Sequence, residues 1–134
     1  IVGPTHKSWK RRDYWVKVVD AITQEWRIHV LKGRSIARGL KVQVDVPWRL
    51  MPVRNRNNGW HMTHEEEPPK GLRPLASQAV AACGYNFGAV DLYITEDGTM
   101  GVFEVNKAPG LDNYTLEAYA QGFAAIAAGT FREK

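Results

Sequence analysis

The sequence predicts an α+β domain, an antiparallel β-sheet covered by helices. Three observations lead there. Two runs of alternating apolar and polar residues flank Asp97-Gly98, the pattern of a β-hairpin. Leu72, Leu75, Ala76, Ala79, Val80 and Cys83 fall at helical spacing. Further alternating runs fill the first part of the chain, and the resulting order of strand, strand, strand, loop, helix, hairpin, helix lacks the strand-helix alternation of a parallel sheet. With 134 residues, 44% of them hydrophobic, residues 1–134 can bury one modest core and are expected to form a single domain.

Taken in order, residues 1–13 read as a flexible leading segment, and the basic run from Lys7 to Arg12 as a solvated end. Tyr14 to Asp20 alternates and is rich in β-branched and aromatic residues, so it predicts a first strand. Residues 25–31 predict a second, with Trp26, Ile28 and Val30 on one face and Glu25, Arg27 and His29 on the other. A three-residue turn, Lys32-Gly33-Arg34, would carry the apolar face on through Ile36, Leu40, Val42 and Val44. Residues 46–70 carry four prolines and the run Arg54-Asn-Arg-Asn-Asn-Gly-Trp60, which is loop chemistry. Residues 72–83 predict a helix with Pro74 in its first turn, Gly84 as its stop and Cys83 buried. In the hairpin a two-residue loop pairs Glu96 with Thr99. A last helix should start near Asp112 or Asn113 and bury Leu116, Ala120, Phe123 and Ala127.

Counting outward from that turn sets Asp91 directly opposite Glu104, with Asn106 two residues along on the same side. Val90, Leu92, Ile94, Phe103 and Val105 then occupy the other face. Two carboxylates facing each other across a ladder repel unless positive charge lies between them. A divalent cation would supply it, and two acids with an amide oxygen suit magnesium, which takes hard oxygen ligands. The plainer reading is a solvated polar face.

Charge is uneven along the chain. Residues 1–60 hold thirteen Lys and Arg against four acids, whereas the remainder holds five basic and ten acidic residues. A cationic front half facing an acidic cluster fits a polyanion such as a nucleotide, or nucleic acid. One cysteine, Cys83, excludes an internal disulfide and favours the reducing cytosol. No apolar run reaches the length of a membrane helix, and the N-terminus lacks the core of a signal peptide; the expected location is cytoplasmic.

Gly88-Ala-Val-Asp91 followed by Glu104-Val-Asn106-Lys-Ala-Pro-Gly110 resembles the metal-binding end of the ATP-grasp carboxylate-amine ligases. The resemblance runs from about Tyr14 to about Phe123. It implies the C-terminal part of the ATP-grasp fold, ATP and Mg as cofactors, and Asp91, Glu104 and Asn106 as metal ligands. Glu25-Trp-Arg27 is similar to the family's Glu-x-Arg strand, which implies that Arg27 reaches the phosphates or an acyl-phosphate intermediate, with Arg54 a second candidate. Tyr14 to Asp20 resembles the hinge strand, which implies nucleotide contacts at Lys17, Val19 and Asp20, besides Asn106. The activity implied is joining a small-molecule or peptide carboxylate to an amine. The family's phosphate-binding N-terminal half has no counterpart before the hinge strand, so the chain is expected to be a C-terminal half completed by the same or another polypeptide.

Two further features have competing readings. Trp9, Trp15, Trp26, Trp48 and Trp60 interleave with arginines and could stack bases in a nucleic-acid binding module, or serve as core and rim residues of a sheet. His61-Met-Thr-His64 before three glutamates could bind zinc, although it lacks a helical His-Glu-x-x-His frame.

Overall fold

A computed structural model describes Val19, residues 21–43 and residues 60–132. Five strands and two helices follow in the order β1 (Ile22–Leu31), β2 (Arg34–Gln43), β3 (Trp60–Thr63), α1 (Leu72–Ala82), β4 (Phe87–Thr95), β5 (Met100–Asn106) and α2 (Asn113–Ala127). The strands form one sheet in the order β3-β2-β1-β4-β5, and every pairing is antiparallel. Three corrections concern element bounds. β1 starts earlier than expected, β3 lies inside the stretch expected to be irregular, and Leu31 pairs with Arg34, so the β1–β2 turn has two residues and not three. Lys32 and Gly33 both have positive φ, 47° and 79°, as a two-residue hairpin turn demands. Of the strand expected over Tyr14 to Asp20, only Val19 lies within the described residues; it is half-buried and belongs to no strand.

Helix α1 covers the face bearing Trp26, Ile28, Val30, Val90, Leu92 and Ile94, and Leu72, Ala76 and Val80 complete that core. Nine buried aliphatic and aromatic side chains meeting there make this the main source of stability, at roughly 1.5–3 kcal/mol per fully buried large side chain. Gly84 ends the helix with φ +72°. Cys83 caps the helix and is exposed, contrary to expectation, within a stretch from residue 81 to residue 87 that is exposed throughout.

Among the described residues, the opposite face is only partly covered. Helix α2 packs there on β1 and β2, and Asp112 caps it by accepting from the Thr115 backbone N–H at 2.9 Å while Thr115 Oγ1 accepts from the Asp112 N–H. The buried positions are Thr115, Tyr119 and Gly122. Leu116, Ala120, Phe123 and Ala127, the face expected to be buried, point to solvent instead, with Leu116 56% and Phe123 49% exposed. Gly122 explains the rotation, since a Cβ there would stand 2.7 Å from Leu31 Cδ2. The helix approaches the sheet most closely on its one glycine, which brings Tyr119 onto His29.

The hairpin register contains two departures that cancel. The Thr95 N–H donates to Thr99 O and the Gly98 N–H to Thr95 O, both at 2.9 Å, which makes a three-residue loop with Gly98 at φ +84°. The expected pairing of Glu96 with Thr99 is therefore replaced by Thr95 with Thr99. Ile94 then pairs with Met100, Tyr93 with Gly101 and Leu92 with Val102, until a bulge at Phe103 restores Asp91 to Glu104. Phe103 consequently leaves the core face where the alternation put it. It is 44% exposed, and its ring lies 4.7 Å from that of Tyr93.

Candidate functional site

The face not covered by α1 carries a polar row that crosses three strands. Cα partners run Gly39–Arg27 between β2 and β1, Arg27–Asp91 between β1 and β4, and Asp91–Glu104 between β4 and β5. Paired residues project to the same side of a sheet, so alternation along each strand is enough to align Arg27, Asp91 and Glu104. The neighbouring rung is His29–Ala89–Asn106, which puts Asn106 beside Glu104 on that face. The next rung the other way holds Glu25, whose Oε1 accepts from Lys41 Nζ at 2.6 Å.

Arg27 and Asp91 form a two-pronged ion pair. Nε donates to Oδ1 at 2.8 Å and Nη2 to Oδ2 at 3.0 Å. The Asp91 side chain is 13% exposed and that of Arg27 30%, so the pair is shielded enough for its charges to matter. The hydrogen bond to Asp91 raises the Arg27 pKa; desolvation opposes this, and the charges of Asp91, Glu104 and Glu25 add to it. The strand order β1-β4-β5 puts the Arg27 guanidinium on the side of Asp91 away from Glu104, so the chain itself supplies a compensating positive charge to Asp91 but does not place that charge between the two acids.

The set nevertheless fits magnesium. Asp91 and Glu104 are directly opposed, Glu104 is exposed, and both carboxylates and the Asn106 amide are hard oxygen donors. Asn106 Oδ1 already accepts from the Ala108 N–H at 2.9 Å, which orients the amide and leaves a second lone pair. Among the described residues there is no group of three His, Cys, Asp or Glu placed to hold a metal, so zinc on His61 and His64 finds no support there. His64 instead meets Asp112 and Arg38, described below.

A small cavity of about 50 Å³ adjoins the row, lined by Arg27, His29, Arg38, Gly39, Met62, His64, Gly110, Asp112 and Thr115. His29 forms its inner wall. Its Nδ1 lies 2.9 Å from the Tyr119 hydroxyl, and burial, then the Arg27 charge, lowers its pKa to about 4. Burial also raises the Tyr119 phenol to about 12. Both groups are therefore neutral and polar at the base of a charged site. Sequence reading placed His29 on the Arg27 face but gave it no role, because its partner lies 90 residues away.

Of the remaining sequence-predicted site residues, Lys17, Asp20 and Arg54 lie outside the described residues, as do Trp9, Trp15 and Trp48. Trp26 is 2% exposed and locked in the core, so it has no face for stacking on a base. None of the described helices is long and apolar enough to cross a membrane.

No protein-family model and no curated protein sequence matches the chain. Solved structures do match in shape. One is an ATP-grasp ligase from Chryseobacterium gregarium, RiPP-associated and in complex with ADP and a leader and core peptide. It is 13% identical, with a TM-score of 0.54, over 84% of this chain and 35% of that one. A second is the macrocyclase MdnC of Microcystis aeruginosa MRC bound with precursor peptide MdnA, at 16% identity and a TM-score of 0.54, over 81% of this chain and 34% of that one. A third is the ATP-grasp ligase PsnB complexed with minimal precursor, Mg and ADP, at 16% identity and a TM-score of 0.51, over 80% of this chain and 33% of that one. The chain spans about a third of the length of these structures. Its α+β fold, a five-stranded antiparallel sheet between two helices, is thus that of part of an ATP-grasp ligase.

Proposed function

We propose that this chain supplies the C-terminal part of an ATP- and magnesium-dependent ligase that joins a carboxylate to an amine through an acyl phosphate. The observation that carries this reading is the row of Arg27, Asp91 and Glu104 across β1, β4 and β5, with Asn106 on the next rung. Asp91, Glu104 and Asn106 would hold magnesium, which when bound neutralises phosphate charge. Lys17, Val19 and Asp20 would meet the nucleotide. A further N-terminal half, in the same or another polypeptide, would close the cleft. A peptide carboxylate is the favoured substrate class, since the three matching structures are named with precursor or core peptides. Use of ATP suits a cytoplasmic setting.

In this reaction a substrate carboxylate oxygen attacks the γ-phosphorus of ATP, the bond to the bridging oxygen breaks, and ADP leaves. The amine nitrogen then attacks the acyl carbon, loses a proton, and phosphate departs. Arg27 would act on these oxygens. Its fork is held in orientation by Asp91, and it lies at the mouth of the cavity, where it can share donors with a phosphate or acyl-phosphate oxygen. Arg54 is the second candidate for that task. The hydrogen bond to Asp91, then the charges of Asp91, Glu104 and Glu25, favour the guanidinium against the cost of burial.

The test uses Asp91→Asn and Glu104→Gln, which preserve side-chain shape. In the ligase assembled with its N-terminal half, either should lower phosphate release by roughly 100-fold or more, with an unchanged circular dichroism spectrum. Full phosphate release from both variants would remove the assignment.

A further inference from the structure

His64 stands just past β3 and is gripped by two other elements, β2 and α2. Its Nδ1 lies 2.7 Å from the carbonyl oxygen of Arg38 on β2, and its Nε2 lies 2.6 Å from Asp112 Oδ2 at the start of α2. The ring also stacks on Tyr114, with centroids 4.1 Å apart and planes 18° apart. Arg38 Nη1 donates to the Tyr114 hydroxyl at 3.0 Å, which closes a ring of contacts around the imidazole.

A backbone carbonyl only accepts. So does an ionised carboxylate. Burial pushes the Asp112 carboxyl up, but the Thr115 backbone N–H and the His64 ring outweigh it and hold it at about 2, so Asp112 is ionised. Both ring nitrogens of His64 therefore face acceptors, and the arrangement is satisfied only when each carries a proton. The stacked Tyr114 ring favours the same cationic form.

We infer that His64 is a positioning residue: doubly protonated, it latches the first turn of α2, and the Gly110–Asp112 turn before it, against the sheet beside Arg27. When the ring gives up one proton, a lone pair faces an oxygen and one of the two bonds must break. Release is confined to the front of the helix, because His29 and Tyr119 anchor its middle. The cavity beside Arg27 then loses the wall formed by Gly110, Asp112 and Thr115. Among the described residues, the charged and titratable groups around the ring are Glu65, Glu66 and Glu67 on its own segment, Arg38 on β2, Arg27 and His29 on β1, and Asp112 and Tyr114 at the start of α2. Arg38 is itself paired with Glu67 at 2.9 Å, which limits its repulsion of the imidazolium.

The latch follows from geometry alone, whereas its effect on turnover rests on the ligase reading. The first measurement follows the His64 ring nitrogens by NMR in the full chain, alongside the exchange protection of the Thr115 and Leu116 amides. Loss of a ring proton should lower that protection roughly five- to tenfold, the worth of an N-cap, while amides within α1 stay unchanged. His64→Ala should show the low protection at every pH. Protection that ignores the ring's protonation, or a His64→Ala chain that keeps the wild-type profile, would overturn the latch. The second measurement is phosphate release by the assembled ligase, where His64→Ala should flatten the pH profile of kcat/KM. An unchanged profile would remove the positioning role and leave Asp91 and Glu104 standing. Turnover that is indifferent to Asp91 would remove the ligase reading and leave the exchange result intact.

Discussion

At the residue scale the Arg27–Asp91 fork decides how the site tolerates its acids. Asp91 is mostly buried and faces Glu104 directly. Removing the guanidinium leaves Asp91 with a like charge opposite and, among the described residues, no charged donor in its place. Arg27→Met is therefore expected to cost about 1–3 kcal/mol in urea unfolding, discounted from a fully buried pair because Arg27 is nearly a third exposed. Adding Asp91→Leu to that variant should recover much of the loss while leaving no activity. A double variant less stable than Arg27→Met would contradict this account. The placement of Asp91 opposite Glu104 was legible in the alternation of the hairpin, and so was the outward direction of Arg27. The bond between Arg27 and Asp91 was not, because it joins strands 64 residues apart whose pairing no local pattern specifies.

At the scale of elements, α2 shows where periodicity runs out. Its sequence offers an apolar stripe at Leu116, Ala120, Phe123 and Ala127, yet the helix buries the stripe of Thr115, Tyr119 and Gly122. Close approach at Gly122 and the hydrogen bond between Tyr119 and His29 outweigh the larger apolar area, which a helix with apolar residues on two faces leaves undecided. Gly122→Leu should cost about 1–3 kcal/mol, since Leu31 is buried and has no room to yield. Leu116→Ser should cost less than about 0.5 kcal/mol. Thermal melts of the variants check both, and the reverse ranking would show that the predicted face is the buried one in solution. The hairpin carries a similar lesson. A three-residue loop and a bulge each shift the register by one, in opposite senses, so the Asp91–Glu104 pairing survived an incorrect turn. Gly101 lies under the ring of Tyr93, which would have to swing away to admit an added Cβ. No alternation pattern carries that constraint.

For the whole molecule, the buried His29 links the sheet, α2 and the cavity to pH. The folded ring is held neutral down to about 4, by burial first and Arg27 second, from an ordinary value of 6.5. Between those two values the unfolded chain binds a proton that the folded chain refuses. Stability from this group is thus complete above the ordinary histidine value and is lost as pH falls toward 4, by at most about 1.4 kcal/mol per pH unit. The urea midpoint should fall further between about pH 7 and about pH 5 in the wild type than in His29→Gln. Equal slopes would show that His29 is accessible to water and protons in the folded state.

Local sequence fixed the class of fold, most strands, both helices and the side of the sheet on which Arg27, Asp91, Glu104 and Asn106 project. Each of these follows from period-two or helical spacing and from turn chemistry within a few residues. Tertiary structure alone decided the order β3-β2-β1-β4-β5, the rotation of α2, the exposure of Cys83, and the meetings of Arg27 with Asp91, His29 with Tyr119 and His64 with Asp112. The physical reason is the same in each case. Such contacts join segments far apart in the chain, and their outcome depends on which side chains fit together at close range, a condition that no window of neighbouring residues contains.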